Sequence, residues 1–296
     1  MSEIKLFKYG QNVEELKSSC VTLEKELQTV IEHNMTEFFG VTFLASEYII
    51  DNGRMDSIGI DENNCPVIFE YKRQTNENVI NQGLFYLNWL LEHKASFKLL
   101  VIEKLGLKES ENIDWSMPRV ICIAGDFNKY DEEAIKQINR NISLIRYKKF
   151  NNNLLMFELL NSNTVAPIED NDFQKKNTRY QTITFSDNYE KAPKKILDIF
   201  QELEDYALSL GDDVSRNILK LYMAFKKIKN FATLEIYKTK ILLNVRLNPD
   251  KFILTNKLRD VREIGHWGCG DLQFIIDNEN DIIFAKDLIK QSYDEN

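Results

Sequence analysis

The stretch Gly53–Lys72 constrains this chain more than any other. Two runs that alternate in polarity, Arg54–Asp61 and Pro66–Lys72, meet at the turn-forming residues Asp61–Asn64. That pattern specifies a β-hairpin. A turn centred on Asn63 sets Ile58 opposite Ile68 and Asp56 opposite Glu70. Side chains alternate along a strand, so Glu70 and Lys72 share a face. That face then carries Asp56, Glu70 and Lys72 beside Ile58, Ile60 and Ile68.

Two carboxylates held ~5 Å apart among aliphatic neighbours repel each other. A proton, the Lys72 ammonium or a divalent cation relieves the repulsion. Oxygen-only ligands suit a hard ion such as Mg2+ (or Mn2+), which keeps several waters and takes one or two carboxylates. Such an ion, with Lys72 beside it, prepares a water for attack on phosphorus. The Glu-x-Lys string alone carries no weight. It occurs at Glu3–Lys5, Glu15–Lys17, Glu70–Lys72 and Glu92–Lys94. Only Glu70–Lys72 lies on a strand whose hairpin partner presents an Asp. The competing reading is a surface salt bridge on an ordinary hairpin.

The helix expected after the hairpin carries Gln82 and Tyr86, an i, i+4 pair on one face. The helix expected before it offers Glu26, beside Leu23, Leu27 and Val30. A carboxylate there could complete a metal shell or position water; the alternative is a solvated helix residue.

A helix, then Gly-Arg-x-Asp on a strand, Glu-Tyr-Lys-Arg on the next, and Gln-x-x-x-Tyr on a helix resembles the PD-(D/E)XK nucleases, in the branch with RecB-type and λ-exonuclease-type motifs. Met55 stands where the family name has Pro. The resemblance implies a restriction-endonuclease-like domain with Asp56 and Glu70 as metal ligands. It implies the Tyr71 carbonyl as a backbone ligand and Lys72 beside the attacking water. Glu26 takes the place of the helical acid. Gln82, Tyr86, Arg73 and Arg54 are the residues expected to contact nucleic acid or buttress the site. Over the whole chain, Trp115–Asp131, Asn141–Lys148, Arg259–Val261 and Gly265–Asp271 resemble a bacterial two-domain family. Its members bear the name "predicted transport protein" and end in a domain of unknown function.

The pattern predicts an α/β first domain, a mixed sheet flanked by helices, over 1–162. Its expected helices are 12–39, Glu77–Lys94 and Asp131–Asn141. Its expected strands are Ser46–Asp51, Arg54–Asp61, Pro66–Lys72, Phe97–Glu103, Arg119–Ala124, Ile142–Lys148 and Leu154–Leu159. Polar, turn-rich residues 163–190 read as a linker or arm. A smaller α+β domain is expected over 191–296. Its helices are Pro193–Leu210, Val214–Lys229 and Asp281–Tyr293; its strands are Phe231–Tyr237, Ile241–Leu247 and Lys251–Leu254.

Four widely spaced cysteines and three histidines disfavour a clustered zinc site. With no signal-peptide pattern and no apolar run of the ~18–20 residues a membrane span needs, a cytoplasmic protein is expected. The net charge of −8 disfavours a polyanion as partner. Yet Arg216–Arg262 holds twelve Lys/Arg against three Asp/Glu, a local excess that can dock phosphates. In the same half, Trp267 is placed to stack on a base, with Arg259 or His266 near a phosphate. The alternative is a structural turn whose Trp caps the core. The expected function is a Mg2+-dependent phosphodiesterase acting on nucleic acid, DNA first, with no membrane partner and a homodimer left open. The alternative is a non-catalytic nucleic-acid-binding or interaction protein on a nuclease scaffold, in a defence or restriction-type system.

Overall fold

The computed structural model describes residues 4–21, 23–73, 78–151, 153–163, 183–264, 266 and 268–296. The chain divides into two units, Met1–Ala166 and Pro167–Asn296. The first begins with β1 (Leu6–Lys8), β2 (Glu14–Leu16), β3 (Ser18–Ser19), α1 (Glu24–His33) and α2 (Met35–Phe39). Next come β4 (Val41–Ile50), β5 (Gly53–Asp61), β6 (Pro66–Lys72), α3 (Val79–Glu92), α4 (Lys94–Leu105) and α5 (Leu107–Glu111). β7 (Arg119–Ala124), α6 (Lys129–Ile135), β8 (Asn141–Phe150) and β9 (Leu154–Asn163) complete it.

Strands β4 to β8 lie side by side in chain order, and β3 and β9 both pair with β8. The β6–β7 and β7–β8 pairs are parallel. The β4–β5, β5–β6 and β8–β9 pairs are antiparallel, so the sheet is mixed. Every residue of β7 is buried, as is β6 up to Lys72. Parallel strands covered on both faces read as continuous apolar runs, which these are. On one face α3 and α4 pack Leu87 and Val101 into a core with Ile58, Ile68, Val120 and Cys122. On the other, Phe39 of α2 meets Phe69 and Phe157 with ring centres 5.4 and 5.2 Å apart. Leu27 and Ile31 bury one face of α1.

The hairpin register is the expected one, with Ile58 opposite Ile68. Asp61 closes the turn. Its Oδ1 accepts from the Asn63 and Cys65 N–H groups, each at 2.9 Å, and its Oδ2 pairs with buried Arg119 of β7. Asn64 takes the left-handed conformation, φ 61°, that a tight turn requires and Asn tolerates.

Three expected elements of this unit differ. Residues 12–39 are not one helix: β2 and β3 come first and α1 starts only at Glu24. Phe97–Glu103 is helical within α4, not a strand. An apolar run this short has no decisive period, and its buried Phe97, Leu100 and Val101 fall at helical spacing. The helix expected over Asp131–Asn141 is α6, capped by a reciprocal Asn128–Asp131 box and ended by Ile135; Asn141 instead opens β8.

The second unit has α7 (Phe185–Lys191), α8 (Lys194–Ser209), β10 (Ser215–Ile218), β11 (Met223–Lys226), β12 (Asn230–Ile236) and β13 (Ile241–Val245). It ends with β14 (Leu258–Asp260), β15 (Leu272–Ile276) and α9 (Ile282–Glu295). Its antiparallel sheet runs β10-β11-β12-β13-β15-β14. Phe200 and Leu203 of α8 and Leu288 and Ile289 of α9 pack against Leu234, Leu243 and Phe274.

Residues 185–190, read from sequence as linker, are helical because Thr184 and Asp187 cap α7 reciprocally; residues 164–182 lie outside the described residues. Val214–Lys229 is the β10–β11 hairpin rather than a helix, pairing Asn217 with Ala224. Pairing of β11 with β12 fixes it there, where tertiary contacts override a pattern that suits either state. Lys251–Leu254 is not a strand: a 3-10 turn, Pro249–Lys251, precedes it and Ile253 stands 90% exposed. Among the described residues no helix is long and apolar enough to cross a membrane.

Candidate active site

Strands β5 and β6 part beyond the Ser57–Phe69 pair. Past that point β5 continues against β4 and β6 against β7. Two carboxyl groups fill the fork. Glu70 Oε1 accepts from the Asp56 N–H at 3.3 Å, and Asp56 Oδ2 accepts from the Tyr71 N–H at 2.9 Å. Each acid therefore bonds to the other's strand where the ladder has stopped.

Electrostatics make this an uncomfortable pair. Glu70 is 1% exposed. Burial first, then the Asp56 charge, pushes its carboxyl up to about 9. Burial also raises Asp56, against the lowering effects of the Tyr71 N–H and Lys72. A divalent cation would let both acids ionise together. The residues present fit one: two carboxylates and a peptide carbonyl form an all-oxygen set that leaves room for water, as Mg2+ requires. Among the described residues no group of three or more His, Cys, Asp or Glu is arranged to hold a metal.

Lys72 points to the same end of β6, with Nζ 3.6 Å from Glu24 Oε1. Glu24 Oε2 also accepts from the Arg73 N–H at 3.1 Å, and its charge is felt at Asp56. The helix acid beside the pair is thus Glu24. Glu26, the expected one, instead pairs with Lys149 at 2.8 Å and lines a 190 Å³ pocket with Val21, Val30 and Leu154. Two positions along a helix turn a side chain by about 200°, which separates the two acids.

The expected nucleic-acid contacts divide. Gln82 and Arg73 are exposed, and so is Arg54, whose Nε lies 2.5 Å from Glu47 Oε2. Tyr86 is 7% exposed and packs into the core. Its hydroxyl accepts from the Arg54 N–H at 3.4 Å, and a Cβ on Gly53 would strike its ring. Tyr86 buttresses the start of β5.

Sequence reasoning missed Gln28, Glu32 and Glu47. Gln28 Nε2 donates to the Asp56 carbonyl at 2.7 Å, and Glu32 Oε1 accepts from Ser57 Oγ at 2.6 Å. A signal existed: Glu24, Gln28 and Glu32 recur every fourth residue on one helix face. Glu47 adopts φ 54°, a costly left-handed conformation for a glutamate, and nothing in the sequence announces it.

In the second unit Arg259 lies on β14 and His266 in the loop between β14 and β15. The sheet face opposite the helices carries Thr233, Asn244, Gln273 and Arg259 in one lateral row. Arg259 donates to Gln273 Oε1, whose amide donates to Asn244 Oδ1 at 2.8 Å. The His266 ring meets the Ile264 and Gly270 carbonyls at 3.0 and 2.9 Å. Trp267 lies outside the described residues. Part of the basic excess is ion-paired within the unit: Arg216 meets Glu204, Lys251 Glu295, Lys257 Asp277 and Asp281, and Arg262 Asp250 and Asp260.

A family model described as Domain of unknown function (DUF5655) matches residues 185–296. A protein of Haemophilus influenzae, described as uncharacterized, is 33% identical over 301 residues, covering 96% of this chain and 97% of its own. The crystal structure of a repair endonuclease from Pyrococcus abyssi is 15% identical at a TM-score of 0.29, with 48% of this chain and 65% of that one aligned.

Proposed function

The chain belongs to one family with the Haemophilus influenzae protein, and we propose, from the geometry of the fork, that its first unit is a metal-dependent nuclease of the PD-(D/E)XK type, acting on DNA phosphodiesters. The fork in the β5–β6 hairpin carries this reading. It holds a buried Glu70 against a half-buried Asp56, an arrangement that costs stability unless a cation joins it. Asp56, Glu70 and the Tyr71 carbonyl are the residues that would hold Mg2+ or Mn2+. When bound, the cation supplies positive charge that polarises a phosphodiester and eases deprotonation of a water. Lys72 pairs with Glu24, and its charge favours the ionised form of both acids. It supports the charge that develops on phosphate oxygens in the transition state. Arg54, Arg73 and Gln82, exposed around the fork, are the contacts proposed for the nucleic-acid backbone.

The test incubates linear, circular and single-stranded DNA with the full chain in Mg2+, Mn2+ or EDTA. The reading predicts cleavage that EDTA stops and that Asp56→Asn and Lys72→Ala abolish while circular dichroism stays unchanged. Cleavage that survives both substitutions refutes it. DNA binding without cleavage, together with no Mn2+ site on titration, favours a non-catalytic binder instead.

A further inference from the structure

The carbonyl of Asp56 is held in an unusual way. The β4–β5 ladder pairs Ser46 with Ser57 and Tyr48 with Met55, and steps over Glu47 and Asp56. Glu47 is the residue with left-handed backbone, so its peptide is turned out of the ladder there. A side chain takes over. Gln28, 4% exposed on α1, donates to the Asp56 carbonyl at 2.7 Å and to Glu32 Oε1 at 2.8 Å. Lys25 Nζ fixes the amide from behind by donating to its Oε1 at 3.1 Å. Glu32 accepts in turn from Ser57 Oγ at 2.6 Å, and Ser57 Oγ accepts from the Tyr71 hydroxyl at 3.1 Å.

Ser57 follows Asp56 and Tyr71 follows Glu70, so one hydrogen-bond chain grips both strands of the fork immediately beside the acids. It does so from the helix that also presents Glu24. We infer that Gln28 is a positioning residue for the metal pair: with Glu32, Ser57 and Tyr71 it fixes the Asp56 peptide against the Glu70 strand, in place of the missing ladder bond. This rests on the reading of Asp56 and Glu70 as metal ligands. A broken ladder at a ligand, repaired from a helix, makes the ligand's position depend on helix α1 rather than on β4.

The test measures Mn2+ binding to the full chain by the electron paramagnetic resonance of free Mn2+, alongside thermal melts. Partners that orient metal ligands typically contribute about 10- to 100-fold in metal affinity. Gln28→Leu is expected to weaken Mn2+ binding within that range. Tyr71→Phe, which deletes only a hydroxyl, is expected to shift it in the same direction and serves if Gln28→Leu does not fold. Val101→Ala, a core truncation on α4, is expected to lower the melting temperature with wild-type Mn2+ binding. The inference is overturned if the folded Gln28→Leu or Tyr71→Phe proteins bind Mn2+ like wild type while Asp56→Asn does not. Wild-type binding by Asp56→Asn would sink both the inference and the reading beneath it.

Discussion

Two glutamates, Glu70 on β6 and Glu235 on β12, sit at the centres of the two sheets with 1% and 4% exposure. Burial raises both. Their company differs. Glu235 accepts from the Tyr237 hydroxyl at 2.8 Å and the Asn244 amide at 3.4 Å, and both bonds favour its ionised form. Glu70 meets a second acid. A buried carboxylate supplied with neutral donors is accounted for by folding alone. One pressed against another acid opposes folding, and such local conflicts mark places where chemistry rather than stability has set the sequence.

The largest effect that can break this contrast is catalytic. Lys72→Ala is expected to lower DNA cleavage by about 10²–10³-fold, whereas Glu235→Gln leaves the rate unchanged; equal losses would erase the distinction. Next comes a third buried acid, Asp61, which has a cation of its own. Asp61→Ala strands the Arg119 guanidinium and unties the hairpin turn, and urea unfolding should show a loss of about 3–5 kcal/mol.

The pH dependence sharpens the contrast further. Glu70 binds its proton more tightly folded than unfolded, so its contribution to stability is complete below the ordinary glutamate range. That contribution is lost as pH rises through about 9. Melting temperature in EDTA should therefore fall across that range. Glu70→Gln or added Mg2+ should flatten the fall, and Glu235, eased by its donors, should contribute a shallower slope of the same sign. The smallest effect separates the two helix acids. Glu26→Gln weakens a part-exposed pair with Lys149 and should change stability by about 1 kcal/mol or less, with cleavage intact. Glu24→Gln should slow cleavage.

How much of this was legible depends on how local each cause is. The β5–β6 register followed from Asp61, whose side chain builds the turn out of neighbouring residues. Helix α4 and the β10–β11 hairpin were misjudged because their short apolar runs satisfy two periods, and packing partners decided between them. Glu26 stands beside Leu23, Leu27 and Val30, the more regular pattern, while the polar stripe of Glu24, Gln28 and Glu32 on α1 is the one that reaches the fork. The backbone of Glu47 left no trace in the residue types around it. Alternation along the strands puts Asp56 and Glu70 on one face of the hairpin, but it does not reveal the fork that brings them together.

The start of α7 has a wider consequence. Thr184 and Asp187 cap that helix from within, and the Phe185 N–H donates to the Lys220 carbonyl at 2.7 Å. The Phe185 ring packs on Tyr189 and Phe200, so the first turn is anchored by its own unit. The signal that starts this unit is therefore encoded locally, and fusions that preserve the junction at Thr184 are expected to keep α7 folded, as amide hydrogen exchange at Phe185–Asn188 would show.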